Sequence, residues 1–135
     1  MKLNNESIKL INLFEVLTGA RVKDCYMNND KVMFIVEHGD IRKVVSNNGS
    51  KIKKLEAMIK KKVKIVEYSD NIVEFLKSYV SPIKALSIEV NNEIVEIKVE
   101  DMRERGILIG RDRKNLDSLK NITKKYFNVE NIKVI

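Results

Sequence analysis

The chain holds one cysteine, one histidine, one proline and no tryptophan, and these scarcities remove classes of function. Cys25 alone cannot close an internal disulfide, and no basic or helix-start setting in the sequence activates its thiol. It reads as a small buried hydrophobe. His38 ends a strand pattern just before Gly39, with no Cys or carboxylate cluster at ligand spacing, so it reads as a turn histidine rather than a metal ligand. An enzyme needs a nucleophile with its base, a metal cluster or paired carboxylates in a pocket. None of these sets assembles, so no catalytic residue, metal, cofactor or small-molecule substrate is expected. No run approaches the roughly 18 apolar residues of a membrane span, so no membrane partner is expected. Met1-Lys2-Leu3-Asn4-Asn5-Glu6 lacks the apolar core of a secretion signal, and a cytoplasmic location is the expectation. Aromatics are only 6% of the chain, so base stacking has few side chains to draw on. Phe14, Phe34, Phe75, Tyr79, Tyr126 and Phe127 fall at core-facing spacings, which leaves Tyr26 and Tyr68 as strand-surface candidates.

What is present is a repetition. Cys25 to Glu37 recurs as Ile88 to Glu100, a shift of 63 residues. Upstream, Asn12-Leu13-Phe14-Glu15-Val16-Leu17 returns as Asn71-Ile72-Val73-Glu74-Phe75-Leu76; downstream, Ser46-Asn47-Asn48-Gly49 lines up with Gly110-Arg111-Asp112-Arg113. The chain therefore reads as two modules, residues 1–69 and 70–135. Each sits near the lower size at which a domain can bury its own core. Charge is shared unequally between them. Residues 1–69 carry 14 Lys and Arg against 8 Asp and Glu, and residues 70–135 carry 12 against 11. Lys51, Lys53, Lys54, Lys60, Lys61, Lys62 and Lys64 crowd one segment of the first module, the footprint of a phosphate-backbone partner. A solvated lysine-rich helix face is the plain alternative.

Periodicity predicts the same elements twice. Leu10, Ile11, Phe14 and Leu17 repeat at helical spacing over residues 5–18, and Gly19 is a stop. Two β-rich runs follow, 21–27 and 31–37 around Asn28-Asn29-Asp30, then 84–90 and 93–99 around Asn91-Asn92 in the second module, each a hairpin. A short helix comes next (39–45; 101–108), then a four-residue loop, a longer helix (49–61; 113–126) and a last strand (63–67; 131–135). Ser69-Asp70 is the expected N-cap of the second module's first helix, and Pro82 lies past its end.

The loop and the helix after it carry the chemistry. On the first longer helix, Ile52, Leu55, Met58 and Ile59 share one face, and Lys53, Lys54, Lys60 and Lys61 the other. A loop glycine lets a sugar-phosphate backbone approach, and the following helix offers unpaired N–H groups to a phosphate. Ser46, Asn47 and Asn48 add polar donors.

On these residues the chain resembles a tandem of KH domains in the type II arrangement, whose G-x-x-G loop clamps single-stranded RNA. Ser50-Lys51-Ile52-Lys53-Lys54-Leu55-Glu56 with Lys62 to Ser69, and Gly106 to Asn115 with Lys125-Tyr126-Phe127-Asn128-Val129, resemble the KH pair of the NusA transcription factors in their short archaeal form. The resemblance implies an α+β fold of two α-β-β-α-α-β modules, each a three-stranded sheet packed on one side by helices. It implies a non-catalytic role in transcription elongation or termination, with single-stranded RNA as partner; a contact with RNA polymerase would have to come from the KH pair or be absent. The RNA contacts it implies are Ser46, Asn47, Asn48, Gly49, Ser50, Lys51, Lys53, Lys54 and Lys61 in the first module. In the second they are Gly110, Arg111, Asp112, Arg113 and Lys114. Neither loop holds both glycines: Ser46 replaces the first in loop one, and Arg113 the second in loop two. The alternative is a degenerate KH pair that serves as a docking scaffold for RNA polymerase or a ribosomal component.

Overall fold

The amphipathic spacing of Leu10, Phe14 and Leu17 becomes helix α1 (Asn5–Thr18) in the computed structural model, which describes residues 5–27 and 30–135. The helix ends where Gly19 turns left-handed, with φ +76° and its N–H donating to Glu15 O at 2.8 Å, a conformation glycine adopts without steric cost. Strands β1 (Val22–Met27) and β2 (Lys31–Val36) then pair antiparallel. The expected turn at Asn28-Asn29 lies outside the described residues. Helices α2 (Ile41–Val45) and α3 (Ser50–Ile59) carry the chain back so that β3 (Lys62–Glu67) pairs parallel to β2. A parallel partner requires such a crossover.

The same sequence of elements follows: α4 (Ile72–Val80), β4 (Ser87–Asn91), β5 (Ile94–Lys98), α5 (Met102–Ile109), α6 (Lys114–Tyr126) and β6 (Asn131–Val134). Its hairpin turn is Asn92-Glu93, both left-handed at φ +50° and +70°. Each three-stranded sheet has its second strand in the centre, antiparallel to the first and parallel to the third. The chain divides into two compact units, Met1–Asp70 (unit 1) and Asn71–Ile135 (unit 2). The N-cap of α4 is Asn71, whose Oδ1 accepts from the N–H groups of Val73 and Glu74 at 2.9 and 3.2 Å. The cap expected at Ser69-Asp70 therefore moves on by one residue. Among the described residues, no helix is long and apolar enough to cross a membrane.

In unit 1 the core gathers Phe14, Ala20, Cys25, Val32, Phe34, Val36, Val44 and Leu55. Phe14 of α1 stacks on Phe34 of β2 with ring centroids 4.2 Å apart, fixing helix to sheet. Burial, with the Asp24 carboxylate second, pushes the Cys25 thiol up to about 11, in keeping with an inert packing residue. Ile35 and Val66, on the opposite sheet face, are also fully buried, so the sheet of unit 1 is apolar on both sides. Unit 2 builds its core from Val95 and Ile97 of β5, Leu116, Leu119 and Ile122 of α6, and Ile132 and Val134 of β6. Its aromatics cluster elsewhere: Phe75 of α4 meets Tyr79, Tyr126 and Phe127 at 6.2, 5.9 and 5.4 Å.

Candidate functional site

Both loops join the end of one helix to the start of the next through a tight turn, and their backbones match at the third and fourth positions but not at the first, where Ser46 is at φ −60° and Gly110 at φ +75°. In loop one Asn48 and Gly49 are left-handed, at φ +55° and +74°; in loop two Asp112 and Arg113 are, at φ +54° and +62°. The N–H of Gly49 donates to Ser46 O at 3.3 Å, and that of Arg113 to Gly110 O at 3.2 Å. The absent glycines therefore differ in consequence. Ser46 sits at φ −60°, ψ 159°, extended backbone that any residue adopts, so loop one loses nothing by it. Arg113 occupies a conformation that costs a residue with a Cβ roughly 1–2 kcal/mol. Loop two is strained at its fourth position.

The structure brings most of the expected residues of loop one together. Ser46 ends α2, and its Oγ donates to Lys43 O at 3.2 Å. Asn47, Asn48 and Gly49 form the turn, and Ser50 opens α3. Lys53 and Lys54 are exposed on that helix. Lys51 is turned back on the loop, its Nζ donating to Lys43 O at 3.2 Å. Two expectations about α3 need correction. The helix stops at Ile59, because Lys60 turns left-handed at φ +58° and donates its N–H to Glu56 O at 2.8 Å. Lys60 and Lys61 thus lie beyond the helix, and Lys61 is half-buried at the start of the β3 approach. Met58, placed on the sheet-facing side by its spacing, is 53% exposed. Ile52, Leu55 and Ile59 form a narrower stripe, and Met58 lies about 60° round from Leu55.

In loop two, Gly110 ends α5 at φ +75°, with Arg111, Asp112, Arg113 and Lys114 exposed in sequence and α6 beginning at Lys114. Asn48, Lys53 and Lys54 thus face solvent in unit 1, whereas loop two interleaves Asp112 with its cations.

Charge elsewhere in unit 1 is engaged in structure. Asp40 is buried and accepts from the Arg21 N–H at 2.8 Å, with Arg21 Nε at 3.6 Å and Lys43 Nζ at 3.5 Å. The Arg21 N–H foremost, with help from the two cations and against the effect of burial, holds its carboxyl below the ordinary aspartate value. Lys64 on β3 has its pKa lowered by burial and then by Lys31. His38 is exposed in a turn. Tyr26 and Tyr68 are half-buried, their hydroxyls donating to Asp24 and Asp70 at 3.1 Å each, with Lys23 Nζ 4.3 Å from the Tyr68 ring centroid. Both strand-surface tyrosines are occupied by neighbours. Among the described residues, no group of His, Cys, Asp or Glu is arranged to hold a metal ion.

Sequence reasoning passed over Asn115. Its Nδ2 donates to Ile107 O at 3.0 Å, the counterpart of the Lys51 bond to Lys43. The signal available was positional: both residues follow their loop by two.

No family model matches the chain. It is similar over its whole length to proteins named probable transcription termination protein NusA. That of Methanococcus vannielii is 34% identical, with the match covering 80% of that protein. That of Methanocaldococcus jannaschii is 30% identical, covering 75% of it. A relative of the same name from Halococcus morrhuae is 26% identical over 98% of this chain and 96% of its own. Among solved structures, the crystal structure of APE1850 superposes with a TM-score of 0.71 at 26% identity, covering 98% of this chain and all of that one.

Proposed function

The chain belongs to the family of the archaeal probable transcription termination proteins NusA, and from that premise we propose that it is a non-catalytic binder of single-stranded RNA acting in transcription elongation or termination. Each unit is read as a KH domain of the type II arrangement, with the loop between its last two helices as the grip, and with the domain boundary near residue 69. The observation that carries this is the matched pair of loops: two left-handed residues in the same places, each leading into the N-terminus of a helix. Such a turn leaves backbone N–H groups free to meet a phosphate.

In unit 1 the grip comprises Ser46, Asn47, Asn48, Gly49 and Ser50, extended along α3 by Lys51, Lys53 and Lys54 and beyond its end by Lys61. In unit 2 it comprises Gly110, Arg111, Asp112, Arg113 and Lys114. Arg113 takes a phosphate through its planar guanidinium. RNA polymerase is the expected protein partner, and the cytoplasm the expected location. Fluorescence-anisotropy titration of a short unstructured RNA, repeated across salt concentrations and against matching single-stranded DNA, tests the reading. Binding that weakens with salt and prefers RNA is the expected result.

A second reading is favoured by one observation, the strained, Asp112-bearing loop two: the pair serves as a docking scaffold for RNA polymerase or a ribosomal component. Absence of RNA binding at low salt, with tight binding to such a protein, would establish it instead.

A further inference from the structure

The last carbonyls of a helix have no partner within it, and in both units one of them is reached by a side chain from beyond the loop. Lys51 Nζ donates to Lys43 O, and Asn115 Nδ2 to Ile107 O, the donor eight residues after the acceptor in each case. These bonds span loops one and two like clasps. The first loop positions differ in backbone as well as in residue, Ser46 at φ −60° and Gly110 at φ +75°. A Cβ placed on Gly110 would lie 2.6 Å from Cγ and Nδ2 of Asn115 and 2.9 Å from its Cβ, distances that a short amide side chain cannot relieve while keeping its bond to Ile107. In loop one the clasp is a long, flexible lysine, and a Cβ is tolerated as Ser46, whose own hydroxyl reaches the same carbonyl.

We propose that Asn115 is the positioning residue of loop two, that its clasp pre-sets the backbone of Arg111 to Lys114 for a phosphate, and that Gly110, which its φ of +75° already favours as glycine, also makes room for it. The part concerning RNA rests on the function proposed above; the clasp itself does not. Pre-setting a loop raises affinity by removing the ordering cost of binding.

The test uses the full chain with Asn115→Ala, Gly110→Ala and the two combined. Three properties are read: thermal midpoint, hydrogen exchange of the Arg113 amide, and anisotropy of a short fluorescent oligouridylate. Asn115→Ala is expected to leave the midpoint within a few degrees, since the bond is exposed, while Arg113 exchange accelerates about tenfold and RNA affinity falls severalfold. Gly110→Ala is expected to harm the native background more than the Asn115→Ala background, the non-additivity of residues in contact. Strict additivity, or unchanged Arg113 exchange in Asn115→Ala, would overturn the clasp. Fast exchange with undiminished RNA affinity would overturn its positioning role. A native chain that ignores RNA overturns the RNA reading, and the clasp then stands or falls on the exchange data alone.

Discussion

Unit 1 and unit 2 repeat one topology but build the shared left-handed half of the loop from different residues. Loop one keeps glycine where the left-handed turn requires it and relaxes the position that does not, Ser46 at φ −60°. Loop two keeps Gly110, at φ +75° and against the Asn115 side chain, and places Arg113 at φ +62°. The lesson is that a glycine pattern in a sequence mixes two physical requirements, positive φ and close approach: Gly49 answers the first alone, and Gly110 answers both. Loop one is relaxed and sits in the basic unit; loop two is strained at Arg113 and electrically mixed. A strained residue persists where its surroundings hold it in place, and strain of this kind clusters at functional sites.

The largest effect available on this contrast comes from the cores. Phe34→Ala removes the ring that stacks on Phe14 and should cost unit 1 about 3–5 kcal/mol, seen as an early transition in a circular-dichroism melt. Salt-dependent RNA binding should be lost with it, since the lysines ride on that unit. A melt within 1 kcal/mol of the native chain, by the same scale, would refute the account of the unit 1 core. Next in size is the charge contrast. Lys53→Ala with Lys54→Ala should lower the salt slope of RNA binding by about 1.4, at roughly 0.7 per single-strand phosphate contact. Arg111→Ala with Lys114→Ala should lower it less, because Asp112 already offsets part of that charge. Equal slopes would erase the distinction between the units.

Smaller again are the backbone effects. Arg113→Gly should stabilise unit 2 by roughly 1 kcal/mol and Gly49→Ala destabilise unit 1 by a similar amount, measured by denaturant titration. If Arg113→Gly also weakens RNA binding, the guanidinium is what the strain supports. The smallest effect concerns Asp40. Its folded pKa is lowered, so its stabilising contribution is present above the unfolded value, about 3.9, and is lost as pH falls through the folded value. Melts between neutral and acid pH should therefore show native chain and Asp40→Asn converging at the acid end. A constant gap would mean that the carboxylate contributes no pH-dependent stability.

The repetition and the order of elements were legible because strand and helix periods recur at a fixed offset. Nearly every helix and strand begins and ends within a residue or three of its expected place. What was not legible has a common cause, side chains that act on distant backbone. Lys60 ends α3 by turning left-handed, and lysine carries no signal for that. Met58 shares the helical spacing of its neighbours but sits at the edge of a stripe whose width depends on the sheet beneath. Asn71 outcompetes Ser69 and Asp70 as the cap of α4 because its carbonyl faces two N–H groups. The Asn115 clasp joins residues eight apart, a distance that no local propensity describes. Of the candidate site, the loops and the exposed Lys53 and Lys54 could be read from the sequence; the difference in strain between the loops could not, since it depends on φ.

The most direct measurement is amide chemical-shift mapping of the isotope-labelled chain titrated with a short unstructured RNA. The account predicts that the largest shifts fall on Ser46 to Lys54 and on Gly110 to Asn115, with those of unit 1 fading first as salt is raised. Shifts that spare both loops and gather elsewhere would contradict it.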